Sequence, residues 1–66
     1  MDREDLFLIF KKAIEDEEKA RDFYLRAAGS VSDPDIKKTF EELARTEIGH
    51  AELLRDKYRE LVERGE

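Results

Sequence analysis

The sequence lacks cysteine and tryptophan, and it has one proline and one histidine among its 66 residues. Without cysteine, a disulfide framework, a zinc ribbon and an iron–sulfur cluster are all excluded. A chain of this length forms one domain at most, and it buries only about 60% of the surface that its unfolded form exposes. We therefore expect a further source of stability, either oligomerisation or a metal held by carboxylate and imidazole groups.

A basic block and a long apolar run are also absent. The formal net charge is -5, and the lysines and arginines are interleaved with acids, which argues against a nucleic-acid partner. The longest apolar run, Leu6 to Phe10, is too short to cross a bilayer, so no membrane partner is expected. Residues 1–5 have neither the basic region nor the apolar run of a signal peptide, which predicts a cytoplasmic location.

The apolar residues follow a helical period, although 47% of the chain is charged. In the first half they recur at steps of three and four, which predicts a helix over residues 3–28 with Asp2 as its N-cap. Gly29 is predicted to end this helix in a left-handed conformation, at the start of a loop over residues 29–33.

The second half of the chain repeats the helical pattern. Asp33 followed by Pro34 is typical of an N-cap and a first helical position, and it predicts a second helix over residues 34–63. Because short loops connect antiparallel neighbours, the predicted fold is all-α, a two-helix hairpin that forms a single domain over residues 1–66.

Three polar residues occupy positions in the apolar stripes where hydrophobic residues are expected. Glu17 lies in the first stripe, and Glu47 and His50 lie one turn apart in the second. Residue 32, in the loop, is equidistant from Glu17 and Glu47, so the two carboxylates should lie level in the hairpin. A carboxylate in an apolar stripe costs several kcal/mol unless it is paired, neutralised or bound to metal. The pattern therefore predicts a metal site formed by these three side chains.

One chain supplies two carboxylates and one imidazole, too few to enclose a metal pair. Two hairpins related by a two-fold axis would form a four-helix bundle with four glutamates and two histidines. Bundles that bind di-iron or di-manganese use this ligand set. We therefore predict a homodimer with Glu17, Glu47 and His50 from both chains as ligands to two metal ions, and iron, manganese and zinc all accept these ligands.

Other interpretations remain open. The three polar residues could instead set the register of a metal-free helical interaction module, or hold a metal that clamps a dimer without catalysis. Tyr24 lies two turns from Glu17 and could hydrogen-bond a ligand carboxylate or supply an electron, although core packing is the more common role of such a residue. Arg21 and Arg45 lie near the glutamates and are candidates to hold carboxylates that surround the ligands.

Two segments, Glu17–Tyr24 and Phe40–Ala51, make the sequence resemble the rubrerythrin branch of the ferritin-like superfamily. Because it has one helical hairpin, it is most similar to the encapsulated ferritins, which build an iron site between two protomers. The resemblance implies a ferritin-like four-helix bundle, ligands at Glu17, Glu47 and His50, and ferroxidase activity that oxidises ferrous iron for storage or detoxification. It also implies rings of dimers inside an encapsulin-type protein shell, although the sequence lacks the further helix and targeting tail of those proteins.

Overall fold

The computed structural model describes residues 2–65 of the chain, which form two α-helices and no strand. Helix α1 spans Arg3–Ser30 and helix α2 spans Pro34–Glu63. Met1 and Glu66, which the predicted domain includes, lie outside the described residues. The predicted all-α architecture is confirmed for a single chain. Neither helix within residues 2–65 has a stretch long and apolar enough to cross a membrane.

Aspartates begin both helices, as the sequence predicts. The Asp2 carboxylate accepts a hydrogen bond from the backbone N–H of Asp5, which lacks a partner within the helix. Asp33 accepts from two backbone N–H groups at the start of α2, and Pro34 occupies the first helical position, where its missing donor is harmless.

The predicted end of α1 at Gly29 is wrong. The helix continues through Gly29 to Ser30 and is followed by Val31 in an extended conformation. Within this last turn, Ser30 donates a hydrogen bond from its hydroxyl to the backbone carbonyl of Arg26, at 2.8 Å. Among the described glycines only Gly65, just beyond the end of α2, has the positive φ that the prediction required.

The two helices are antiparallel, and residues equally distant from the loop lie side by side. Near the loop, the rings of Tyr24 and Phe40 stack with their centroids 6.2 Å apart. At the open end of the hairpin, Phe7 and Tyr58 have ring centroids 6.1 Å apart. Both pairs lie almost symmetrically about residue 32, so this register extends along the whole hairpin and through its centre, where Glu17 and Glu47 lie.

The contact between the helices is thin. Only Ala28, Ala44 and Ala51 are buried among the described residues, and none of the buried residues is polar. Many large apolar side chains remain partly exposed, and in a chain with so small a core these side chains need a partner surface.

Two apolar stripes run along α2 on either side of the buried alanines. The first contains Ile36, Leu43 and His50, spaced seven residues apart, and we call the surface that carries it the site face. The second contains Ile48 and Val62, with the charged Arg55 midway between them, and we call that surface the back face. Leu43 and Ile48 have nearly equal exposure, 38% and 39%, although they lie on different faces.

Candidate metal centre

Glu17, Glu47 and His50 meet at the middle of the hairpin. One possible ligand atom from each residue lies within 4.8 Å of the ligand atoms of the other two. The His50 Nδ1 atom is 3.2 Å from a carboxylate oxygen of Glu17 and 3.7 Å from a carboxylate oxygen of Glu47. The structure thus brings together all three residues that the sequence predicts as ligands.

The exposure of the three side chains differs. Glu17 and Glu47 are largely covered, with 25% and 18% of their side chains exposed, whereas His50 is 55% exposed. The imidazole therefore lies at the outer edge of the cluster, on the site face. A single hairpin covers the carboxylates from one side and leaves the imidazole accessible to a partner.

The two carboxylates perturb each other. A side-chain hydrogen bond with Glu17 raises the pKa of Glu47, and partial burial and the negative charge of Glu17 raise it further. His50 opposes this shift by its charge and by its own hydrogen bond. A hydrogen bond between two carboxyl groups requires a proton on one of them, so without a cation the cluster favours retaining a proton.

Residues 15–18 of α1 form a run of four acids, and their ion pairs show which carboxylate remains available to a metal ion. Lys11 lies 3.9 Å from Glu15, and Lys12 lies 2.7 Å from Asp16, both within α1. Arg55 of α2 pairs with Glu18 at 2.6 Å. Within residues 2–65, Glu17 is the one acid of this run with no lysine or arginine nitrogen within 4.0 Å, and Glu47 has none either. The two carboxylates that face His50 therefore have no lysine or arginine partner among these residues.

Tyr24 packs against other aromatic rings, and within residues 2–65 it forms no hydrogen bond with the cluster. Its ring stacks on Phe40 and makes an edge contact with Phe23, whose centroid is 5.6 Å away. No hydrogen bond from the Tyr24 hydroxyl to Glu17 is present in the part of the chain that the structure describes. The packing role of Tyr24 is therefore visible in the structure, and its role beside the site stays a prediction.

Arg21 and Arg45 pair with neither carboxylate of the cluster in the part of the single chain that the structure describes. Arg21 pairs with its neighbour Asp22 at 2.9 Å, and Arg45 forms no ion pair with any described residue. The arginine that joins the helices beside the cluster is Arg55, through Glu18. The spacing of the apolar residues could not predict this pair. Arg55 is a charged residue on the flank of α2, and its long side chain reaches Glu18 from beside the apolar residues.

An antiparallel helical hairpin that presents one glutamate from α1 and Glu-x-x-His from α2 has the architecture of half of a carboxylate-bridged metal-binding bundle. The family model described as Rubrerythrin matches residues 9–66, which include all three cluster residues. The chain belongs to the rubrerythrin family, within the ferritin-like superfamily. Comparisons with curated proteins and with solved structures gave no match.

Membership of this family confirms the broader resemblance that the sequence suggested. Rubrerythrin-like domains typically bind di-iron and are often redox enzymes, and the Glu17, Glu47 and His50 cluster is a candidate site of that kind. The narrower resemblance to encapsulated ferritins, with rings of dimers inside a shell, stays a prediction.

Proposed function

We propose that this chain is a ferroxidase that uses Glu17, Glu47 and His50 from two copies to hold a pair of iron ions. The observation that carries the proposal is the cluster itself. Two carboxylates that have no lysine or arginine partner among residues 2–65 and one accessible imidazole have ligand atoms within 4.8 Å of one another, on a face whose apolar stripe is partly exposed.

The donor set fits the proposed metal. Carboxylate oxygen and imidazole nitrogen are ligands that ferrous iron, manganese and zinc all accept, and the described residues offer no thiolate that would favour softer ions. The hydrogen bond with Glu17, partial burial and the negative charge of Glu17 raise the pKa of Glu47, and a cation between the two carboxylates would instead favour their ionised forms.

A second copy is needed because one chain has too few ligands to hold two metal ions. One chain gives three donor side chains, whereas a two-fold dimer gives four carboxylates and two imidazoles. Four carboxylates with neutral histidines balance the charge of two divalent cations. Exposed apolar side chains on the site face, such as Ile36 and Leu43, would supply the hydrophobic contact of such a dimer.

The pair of iron ions would supply the redox chemistry, in which each ferrous ion loses one electron to an oxidant such as dioxygen or peroxide. Glu17 and Glu47 would hold the ions close together and stabilise the ferric charge. The His50 Nδ1 atom lies 3.2 Å from the Glu17 carboxylate, and any proton on Nδ1 must leave if Nδ1 becomes the ligand atom. Metal binding is therefore expected to release protons.

The test is to add ferrous iron aerobically and follow ferric iron by absorbance and the oligomeric state by sedimentation. We expect oxidation in the native chain and its loss in Glu47→Ala. Glu52→Ala is the matched control, since it removes an exposed glutamate from the same helix, away from the cluster, and should oxidise iron normally. Equal oxidation by both variants would refute the proposed site.

The small core favours a second candidate function. Since only three alanines are buried in the described chain, a metal that joins two copies would stabilise the fold even without turnover. Metal-dependent dimers that oxidise no iron would support this structural clamp. Dimers that form equally well without metal, with no iron oxidation, would support an interaction module.

A further inference from the structure

Near the centre of the hairpin, two basic side chains of α2 each contact a carboxylate of α1, and we call these two contacts the links. One is the contact between His50 and Glu17, within the candidate metal centre. The other joins Arg55 of α2 to Glu18 of α1, with a nitrogen–oxygen distance of 2.6 Å. Within residues 2–65, this is the only pair of a lysine or arginine with a carboxylate that connects the two helices, because the other such pairs lie within one helix.

The two links flank the line of contact between the helices. Adjacent residues of an α-helix point about 100° apart, so Glu17 and Glu18 leave α1 on different sides. Glu17 meets His50 on the site face, whereas Glu18 meets Arg55 on the back face.

The packing between the helices does little to fix their relative position at this level. The buried residues are alanines, whose short side chains do not interlock as larger residues do. The loop constrains the helices at one end, but Glu17 lies about 20 Å from the end of α1 at Ser30. The aromatic contacts of Tyr58 with Phe7 and Phe10 constrain the other end.

We propose that Arg55 and Glu18 are positioning residues that hold α1 against α2 at the height where Glu17 meets Glu47 and His50. The inference rests on the proposed function, in which these three side chains are ligands. Neither Arg55 nor Glu18 contacts a metal in this proposal. Their ion pair keeps the ligand atoms of the two helices close enough to act together.

A purely electrostatic role makes the opposite prediction for one variant. Arg55→Gln removes a positive charge near the site and leaves Glu18 unneutralised, so electrostatics alone would strengthen cation binding. Loss of positioning would weaken cation binding, because Glu17 would no longer be held level with the other two ligands. The sign of the change in affinity therefore distinguishes the two roles.

The first experiment uses the metal-free chain and the tautomer of its histidine. His50 is the only histidine, so its ring nitrogens can be assigned in a long-range nitrogen–proton correlation spectrum without ambiguity. The contact with Glu17 favours the tautomer with hydrogen on Nδ1. We expect Arg55→Gln to lower the population of that tautomer, and Arg59→Gln, one turn away on the same helix, to leave it unchanged.

The second experiment measures the affinity for zinc, which is not oxidised, by calorimetry. We expect Arg55→Gln to weaken zinc binding by roughly two- to fivefold for each site, the range that an exposed ion pair supports. The double variant Glu18→Arg with Arg55→Glu should restore both the affinity and the tautomer, since it rebuilds the pair with its charges exchanged. Arg59→Gln again serves as the control for charge.

The outcomes separate this inference from the proposed function. If the native chain binds no metal but Arg55→Gln still changes the tautomer, the pair positions the helices and the metal site is wrong. If the native chain binds zinc and Arg55→Gln binds it equally or more tightly, with an unchanged tautomer, the positioning role is wrong. Failure of the exchanged pair to restore either signal, in a variant with native helix content, would also overturn it.

Discussion

The homodimer of the proposed function can be tested with two residues that differ mainly in the face on which they lie. Leu43 is on the site face, in the same stripe as His50, and Ile48 is on the back face. Their exposures in the single chain are 38% and 39%. Substitution of either by alanine should affect the isolated hairpin by a similar amount, because each loses a similar share of its apolar contacts.

The two variants should differ in dimer affinity. Full burial of a leucine contributes about 1.5–3 kcal/mol, so covering the exposed 38% of Leu43 contributes roughly 0.6–1.1 kcal/mol in each copy. A two-fold dimer contains the residue twice, which gives about 1–2 kcal/mol, or a dissociation constant roughly five- to thirtyfold weaker for Leu43→Ala. Ile48→Ala should change the constant by less than about twofold.

Sedimentation equilibrium of the zinc-loaded proteins measures these constants directly. Thermal unfolding at a low, fixed protein concentration checks that the two variants are equally stable as single chains. A dimer weakened equally by both substitutions, or weakened more by Ile48→Ala, would refute the assignment of the site face as the dimer interface. It would leave the geometry of the single-chain cluster untouched.

Two further predictions concern the free chain in the presence of a chelator. Because a hydrogen bond with Glu17 raises the pKa of Glu47, protonated Glu47 stabilises the fold below its ordinary pKa, and this contribution is lost as pH rises through the raised value. Glu47→Gln should therefore be more stable than the native chain at pH 7, with a gap that narrows toward pH 4 in urea titrations, and a gap independent of pH would contradict the coupling. Gly49 lies within α2, and an added Cβ would meet nothing within 4 Å, so Gly49→Ala should stabilise the chain by about 1 kcal/mol and raise the melting temperature by roughly 4–8 °C. A lower melting temperature would show that another surface packs against Gly49.

Much of the fold could be predicted because local chemistry determined it. Asp33 and Pro34 each have a specific role at a helix N-terminus. Only three residues separate the two helices, and so short a connection must reverse the chain direction tightly. Once the reversal is located, the period of the helix determines which residues lie level, and Glu17 and Glu47 follow from arithmetic on their positions. This is why the cluster could be predicted before its geometry was known.

The errors arose where two outcomes are locally similar. A glycine near a helix C-terminus is typical of a left-handed cap, but it also fits inside the last turn, and here α1 continues through Gly29 to Ser30. The pairing of Arg55 with Glu18 depends on the conformations of two long side chains, which sequence spacing does not determine. The high exposure of the His50 side chain was not predicted, because the predicted site is formed by two copies, in which a second chain covers the imidazole.

The incompleteness of the single chain links metal binding to assembly. In one hairpin, Glu17 and Glu47 share a proton or repel each other, and the stripe of Ile36 and Leu43 is partly exposed. A cation relieves the repulsion and a second copy covers the stripe. Since the proposed ligands come from both copies, each event must strengthen the other by the same factor. Dimer affinity should therefore rise with metal concentration, and metal affinity should rise with protein concentration, to an equal extent.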